Sequence, residues 1–404
     1  MKILYIDHYA GSDKYGMEFR PFYMAREWVK MGHEVTVLGA DFSHLRKKNP
    51  VITKDFDEEY DEGVRFVWFR SNTYKSNGVK RFYSMINFSH KLKKYAKRLA
   101  ADRYDAVIAS STFPMDNYGA RKIADLSGAK QIYEIHDLWP LSLMVMGNVG
   151  PKNPLIMYIQ KAEDFAFKNA DKIVSILPFA NLHMKERGFS DEKFVCVPNG
   201  IVTDEKRTNL SKDSEHYKVL SKLKSQGKFI LMYAGGHARS NALDSFILSA
   251  DDMPENIHIV MVGDGVEKQR LVELAGERKN ITFLPSVKKT DMQSLLSFAD
   301  CLYIGAKSSP LYSYGVGMNK IYDYMLSARP IIYAIDSANK PVEEADCGIT
   351  VKPEDKSEIV RAAKEILSWS DEQKNEAGER AKSFVLNHHD YKVLAQRFLD
   401  ELSK

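Results

Sequence analysis

Apolar residues along this chain come in short runs separated by stretches of helical spacing, nearly from end to end. Runs at Lys2–Asp7, Glu34–Leu38, Tyr104–Ser110, Gln131–His136, Lys172–Leu177 and Phe194–Val197 predict buried strands in the first half. A second set follows at Phe229–Ala234, His258–Val262, Ile281–Leu284, Cys301–Ile304, Pro330–Ala334 and Gly348–Val351. Between the first two runs, Phe22, Ala25 and Val29 share one helical face, and Gly32 supplies the stop. Further helices are expected at Ala242–Ala250, Val266–Arg278, Asp291–Phe298 and Asn319–Leu326, with a final helical stretch from about Glu376 to Leu402. Alternation of this kind predicts an α/β protein with parallel sheets, and its restart predicts two doubly wound units. The linker is expected at Pro198–Asp204, where Pro and Asn-Gly punctuate the chain.

Length supports the division, because 404 residues exceed what one core usually serves. Charge adds an asymmetry. Residues 1–200 hold 30 Lys and Arg against 24 Asp and Glu, whereas the remainder holds 28 against 30. The basic excess therefore belongs to the first half. Cys196, Cys301 and Cys347 lie far apart beside apolar runs, which argues for buried free thiols rather than a zinc site or disulfide framework. No apolar run approaches the roughly 18 residues of a membrane span, and the first run is too short for a signal-peptide core. A soluble protein of the reducing cytosol is expected.

Ligands of open α/β sheets bind beyond the carboxyl ends of the strands, so the loops there are the places to search. Four such loops carry glycine or polar chemistry: His8 to Gly16, His136-Asp137, Gly235 to Asn241 and Gly263-Asp264-Gly265. The last is not a dinucleotide fingerprint, since position 268 is lysine where glycine is required. Residues 301–336 say most. They read as a strand, a glycine-spaced loop, a helix opening near Met318 and a second strand. Asn319 and Lys320 occupy the first helical turn, where free N–H groups and the dipole suit a phosphate, and Asp323 one turn on can accept from sugar hydroxyls. Arg239, beside Gly235 and Gly236, offers a planar fork to paired phosphate oxygens. Each feature also has an ordinary explanation: a polar helix start, a solvated loop arginine, a strand-end histidine capping backbone. Asp251-Asp252, at the helix end the same pattern predicts, gives no reason to expect a metal.

In order and spacing these segments resemble retaining glycosyltransferases of the two-Rossmann, GT-B type, specifically family 4. The matching pieces are Gly32–Val37, His136-Asp137, Val197–Ile201, Tyr233–Gly236, Val262–Gly265, Ile281–Leu284 and the Asp323 helix followed by Pro330. The run Asn319 to Met325 is similar to that of the branch that builds bacterial surface polysaccharides, such as capsule or O-antigen, and transfers N-acetylamino sugars. The resemblance implies two Rossmann-like domains facing a cleft: an acceptor domain at 1–198, a nucleotide-sugar domain at 199–375 and a C-terminal helix at 376–404 returning to the first. It also implies a metal-independent hexosyltransferase using a UDP-linked donor and a lipid-linked or saccharide acceptor, with no other cofactor. By that resemblance His136, Arg239 and Lys320 are the catalytic candidates. Gly235, Gly236, Asn241, Gly263, Leu284, Gly317, Met318, Asn319 and Asp323 would line the donor site, and Gly11, Tyr15 and Gly16 the acceptor side. Two departures stand out. The family's first acid falls on Gly315, which leaves the donor sugar open, and the usual diphosphate lysine has no counterpart after the second domain's first strand, so Lys320 is expected to supply its charge.

The stretch Tyr74 to Arg98 carries eight Lys and Arg with no acidic residue, interleaved with aromatic and aliphatic side chains. A solvated helix face explains it, as does an anionic membrane or a nucleic acid. For a lipid-linked acceptor the membrane is the expected partner, placing the enzyme on the inner membrane face without nucleic acid. Two other readings stay open: a GT-B sugar-nucleotide epimerase, and a degenerate GT-B subunit that only binds.

Overall fold

The computed structural model describes residues 1–16, 19–74 and 78–403. The chain divides into two units. The first comprises residues 1–199, the short segment Tyr314–Gly317 and the C-terminal helix from Tyr391; the second comprises Gly200–Ser313 and Met318–Asp390. The boundary between residues 199 and 200 lies inside the Pro198–Asp204 segment.

In the first unit the strands are β1 (Lys2–Ile6), β2 (Glu34–Ala40), β3 (Asp57–Asp61), β4 (Val64–Phe69), β5 (Ala106–Ala109), β6 (Lys130–Ile135), β7 (Lys172–Ser175) and β8 (Phe194–Cys196). They form one sheet in the order β3-β4-β2-β1-β5-β6-β7-β8, parallel except for the β3–β4 pair. The second unit holds β9 (Phe229–Ala234), β10 (Ile257–Val262), β11 (Ile281–Leu284), β12 (Cys301–Gly305), β13 (Ile331–Ala334) and β14 (Gly348–Thr350). Their order, β11-β10-β9-β12-β13-β14, is wholly parallel and reverses direction beside β9, the doubly wound order with its switch point there. β1, β9, β10 and β12 are buried along almost their whole length because helices cover both faces, which is why they read as continuous apolar runs.

Two features depart from the sequence expectation. β3 and β4 form a hairpin closed by a two-residue turn at Glu62-Gly63. β3, Asp-Glu-Glu-Tyr-Asp, has no apolar run to announce it. The expected C-terminal helical stretch is two helices, Asp371–His388 and Tyr391–Ser403, and only the second groups with the first unit. There Trp28 donates to the Ala395 carbonyl at 3.0 Å and packs edge-on against Phe398.

Candidate active site

In the second unit, β9 ends at Ala234 and the chain turns through Gly235 and Gly236. The Gly235 N–H donates to Val262 O at the end of β10 (2.9 Å). Gly263 follows that strand with φ +141°, and a Cβ there would collide with the Gly235 carbonyl. Glycine thus lets two strand-end loops touch backbone to backbone. Leu284, buried at the end of β11, accepts from Gly263 N–H at 3.1 Å and closes the row.

The helix Asn319–Leu326 docks on this floor. Tyr324 Oη accepts from Ala234 N–H (2.7 Å) and donates to Ala234 O (3.0 Å), fixing the helix to the strand end. Lys320, one turn earlier on the same face, is thereby laid along Gly235, where an added Cβ would come within 2.8 Å of Nζ. Lys320 Nζ donates to Tyr233 Oη at 2.7 Å and lies 4.3 Å from that ring's centre. Tyr233 Oη in turn donates to Gly236 O at 2.7 Å. Burial pushes the lysine pKa down to about 8, and no carboxylate pairs with it among the described residues. Asp323 accepts no hydrogen bond through its carboxylate among the described residues, while its backbone carbonyl takes one from Gln293 at 3.0 Å. Burial pushes its pKa up to about 6, the effect being moderated by the Lys289 charge. Met318 stands at the N-cap and Asn319 is exposed in the first turn, where amides have no intrahelical partner.

Not every candidate gathers here. Asn241 braces the loop by donating to Gly236 O (2.7 Å). Arg239 lines a separate polar cavity of about 280 Å³ with Asp244, Glu267, Arg270 and Lys307, and no contact joins it to Lys320 among the described residues. Gly317 belongs to the first unit, where its carbonyl accepts from Asn199 Nδ2 at 2.9 Å. Gly315, the position of the missing acid, is buried with φ +96°, a backbone conformation that disfavours glutamate. His237 escaped the sequence reading. It is fully buried, with neither ring nitrogen hydrogen-bonded among the described residues, and burial holds its pKa down to about 4.

In the first unit, His136 follows β6 on a buried polar network. Its Nε2 lies 2.8 Å from Ser110 Oγ and 3.2 Å from Glu134 Oε2. Glu134, wholly buried, accepts from Tyr5 Oη (2.5 Å), Ser110 Oγ (2.6 Å) and Arg20 (2.9 Å from Nη2). Arg20 also donates to Val197 O and Pro198 O. Burial alone would raise the Glu134 pKa, but Arg20 and the hydrogen bonds hold it well below the usual carboxylate range. Burial likewise opposes the histidine's charge, yet Glu134 wins and the His136 pKa is raised. Neither Glu134 nor Arg20 was singled out from sequence; an acid inside an apolar strand was the available signal.

Tyr15 is buried, donates to Glu59 and meets Trp68 edge-on at 5.6 Å. Gly11 is buried before it, and Gly16 closes the turn by donating to Ser12 O at 2.8 Å. Tyr15, Lys14, Asn49, Glu59 and Trp68 line a cavity of about 460 Å³. Asp251 and Asp252 pair with Arg278 and Lys356 at 2.6 and 3.0 Å. Among the described residues no group of His, Cys, Asp and Glu could hold a metal ion.

The basic stretch 74–98 is mostly the helix Val79–Lys94; Lys75 lies outside the described residues. Its interleaved apolar residues do not form an outer face. Tyr74, Met85, Phe88 and Leu92 are buried, and only Val79 and Tyr83 are exposed large apolar side chains. Lys91 is held by Asp55 at 2.6 Å rather than free in solvent. The other lysines, Lys80, Lys93, Lys94 and Lys97, are exposed. Among the described residues no helix is long and apolar enough to cross a membrane.

Residues 15–205 match the family model described as Glycosyltransferase Family 4, and residues 228–368 match that described as Glycosyl transferases group 1. The chain is 22% identical over 330 residues to "Probable glycosyltransferase WbjE" of Pseudomonas aeruginosa, covering 78% of each chain. Its fold is that of Anabaena Alr3699/HepE, solved in complex with UDP and glucose (TM-score 0.67, 14% identity, 100% of this chain and 99% of that one). Sucrose-phosphate synthase of Thermosynechococcus elongatus is similar too (TM-score 0.70, 15% identity, 99% and 97%). The chain is a glycosyltransferase of the GT-B fold, in which a Glycosyltransferase Family 4 domain is followed by a group 1 glycosyl transferase domain.

Proposed function

We propose that the enzyme transfers a sugar, an N-acetylamino sugar by its resemblance to that branch, from a UDP-linked donor to a lipid-linked saccharide, with retention at the anomeric carbon. The product belongs to a bacterial surface polysaccharide, and the enzyme works at the inner face of the membrane. One observation carries the donor half: a single helix presents its N-terminal turn together with a lysine that has no acidic partner and a carboxylate that accepts no hydrogen bond among the described residues, docked on a glycine floor at the switch point. Amides and Lys320 suit the diphosphate, and Asp323 suits the ribose hydroxyls. The UDP held by HepE supports the choice of base.

His136 is the candidate at the reacting centre, its ring held by Glu134 and Ser110. Glu134 itself is an unpromising nucleophile, buried and occupied by Arg20, Tyr5 and Ser110. That favours attack from the face of departure, with Lys320 and the helix amides stabilising the leaving diphosphate. Arg239 joins this role only if the donor's phosphates reach its cavity. Isothermal titration calorimetry with UDP, GDP and ADP tests the donor assignment. UDP is expected to bind best, and to bind in EDTA as well as without it. Preference for another nucleotide, or strict dependence on added Mg²⁺, would overturn it.

A further inference from the structure

A membrane-docking surface needs an apolar component, and the basic helix Val79–Lys94 turns most of its own inward. The missing component lies elsewhere in the same unit. Residues 141–158 form a helical hairpin: Leu141–Gly147, a loop, then the helix beginning at Pro154, whose Asn153 cap accepts from Leu155 N–H at 2.9 Å. The first of these helices is apolar in sequence, Leu-Ser-Leu-Met-Val-Met-Gly, yet Ser142 is its only buried residue. Val145 and Met146 are exposed at 37% and 80%, and Leu155, Met157 and Tyr158 at 38%, 48% and 44%. Ile156 and Ile159 face the core, so the outer face of the second helix is apolar through Tyr158 and becomes polar from Gln160. Five large apolar side chains exposed within fourteen residues mark an interaction surface.

We infer that this hairpin is the element that enters an anionic lipid bilayer, with the basic helix as its electrostatic partner; the inference rests on the peripheral-membrane reading above. Charge argues for lipid over protein. Residues 138–162 contain no Asp or Glu and carry Lys152 and Lys161, both exposed, and residues 74–101 are likewise without acids. The two elements also share a core cluster. Phe82 of the basic helix and Leu143 of the hairpin pack against one cluster of Met85, Phe113, Trp139 and Ile159. Lys93 Nζ lies 4.2 Å from the Tyr118 ring centre, and the Tyr118 phenol is pushed up by burial, by neighbouring Tyr158 and by Asp164 beyond the acid-free stretch. Lysines beside exposed methionines are the composition of an interfacial anchor, where apolar insertion and attraction to acidic headgroups add.

Sedimentation with phosphatidylcholine vesicles, with and without phosphatidylglycerol, tests this on the full chain. The triple variant Val145→Ser, Met146→Ser, Met157→Ser is compared with a variant carrying Gln at Lys80, Lys93, Lys94 and Lys97, each checked by thermal melting. The triple variant should lose partitioning onto phosphatidylglycerol vesicles by at least about tenfold. In a separate Met146→Trp variant, emission should shift to the blue on vesicle addition and be quenched by brominated lipid. If the wild type sediments, the lysine variant fails and the triple variant does not, the hairpin inference falls while the membrane reading stands. If the wild type ignores both vesicles, both fall. Should the wild type instead ignore vesicles and form a dimer that the triple variant breaks, the hairpin is a contact between copies of the chain and the inference is overturned.

Discussion

At the scale of single residues, the account turns on three side chains held away from their ordinary protonation behaviour. Asp323→Ala should weaken UDP-sugar binding by about 1.5–3 kcal/mol, the size of a lost charge-assisted hydrogen bond; unchanged affinity by calorimetry in a folded variant would remove it from the ribose. pH supplies an independent reading. Asp323 accepts through both oxygens, with charge assistance, only when ionised, so donor affinity should fall as pH drops through about 6. Lys320 attracts phosphate only when protonated, so affinity should fall again as pH rises through about 8. The expected profile has a plateau between these limits, and Asp323→Asn should abolish its acid limb. Folding obeys the opposite sign at Asp323: its raised pKa contributes stability that is lost as pH rises through about 6. His136→Ala should lower kcat more than it raises KM, because its proposed contact is with the reacting centre; near-normal turnover would make it structural. Lys320 and Asp323 were legible as a polar pattern at a helix start. Glu134 showed only as an acid inside an apolar strand, and its pairing with Arg20 across 114 residues leaves no local trace.

Among elements, strands buried on both faces announced themselves as apolar runs, and the loops behind them as glycine and polar clusters. What failed were elements whose stability comes from a neighbour. β3 is polar and exists because β4 supplies its hydrogen-bond ladder. The aromatic interleaving of residues 74–98 does not make an outer face, because helical rotation turns Met85, Phe88 and Leu92 into the core and leaves Lys80, Lys93, Lys94 and Lys97 outside, which leaves the basic face available to a membrane. The glycine floor makes a sharper claim. Gly263→Ala forces a Cβ onto the Gly235 carbonyl at a φ that L residues rarely adopt, so a loss of about 1–3 kcal/mol in denaturant unfolding is expected, with donor affinity reduced as well. A variant with wild-type stability and affinity would show that the two loops need not touch.

At the scale of the whole molecule, the two family matches, on two doubly wound α/β units, identify a glycosyltransferase, and the fold alone names neither sugar nor acceptor. Order and spacing of short motifs made the family legible. The donor sugar was not, because the first-acid position is Gly315, and the cavity lined by Lys14, Tyr15 and Trp68, on the proposed acceptor side, has no one-residue signature. The central claim is transfer from a UDP-sugar to lipid, and incorporation of radiolabel from UDP-N-acetylhexosamines into the organic-solvent extract of bacterial membranes tests it most directly. The wild type should label the lipid fraction, and Asp323→Ala should label it at least about tenfold more slowly at sub-saturating donor. Label that stays on nucleotide as an interconverted sugar, or no incorporation from any UDP-sugar, would contradict the account.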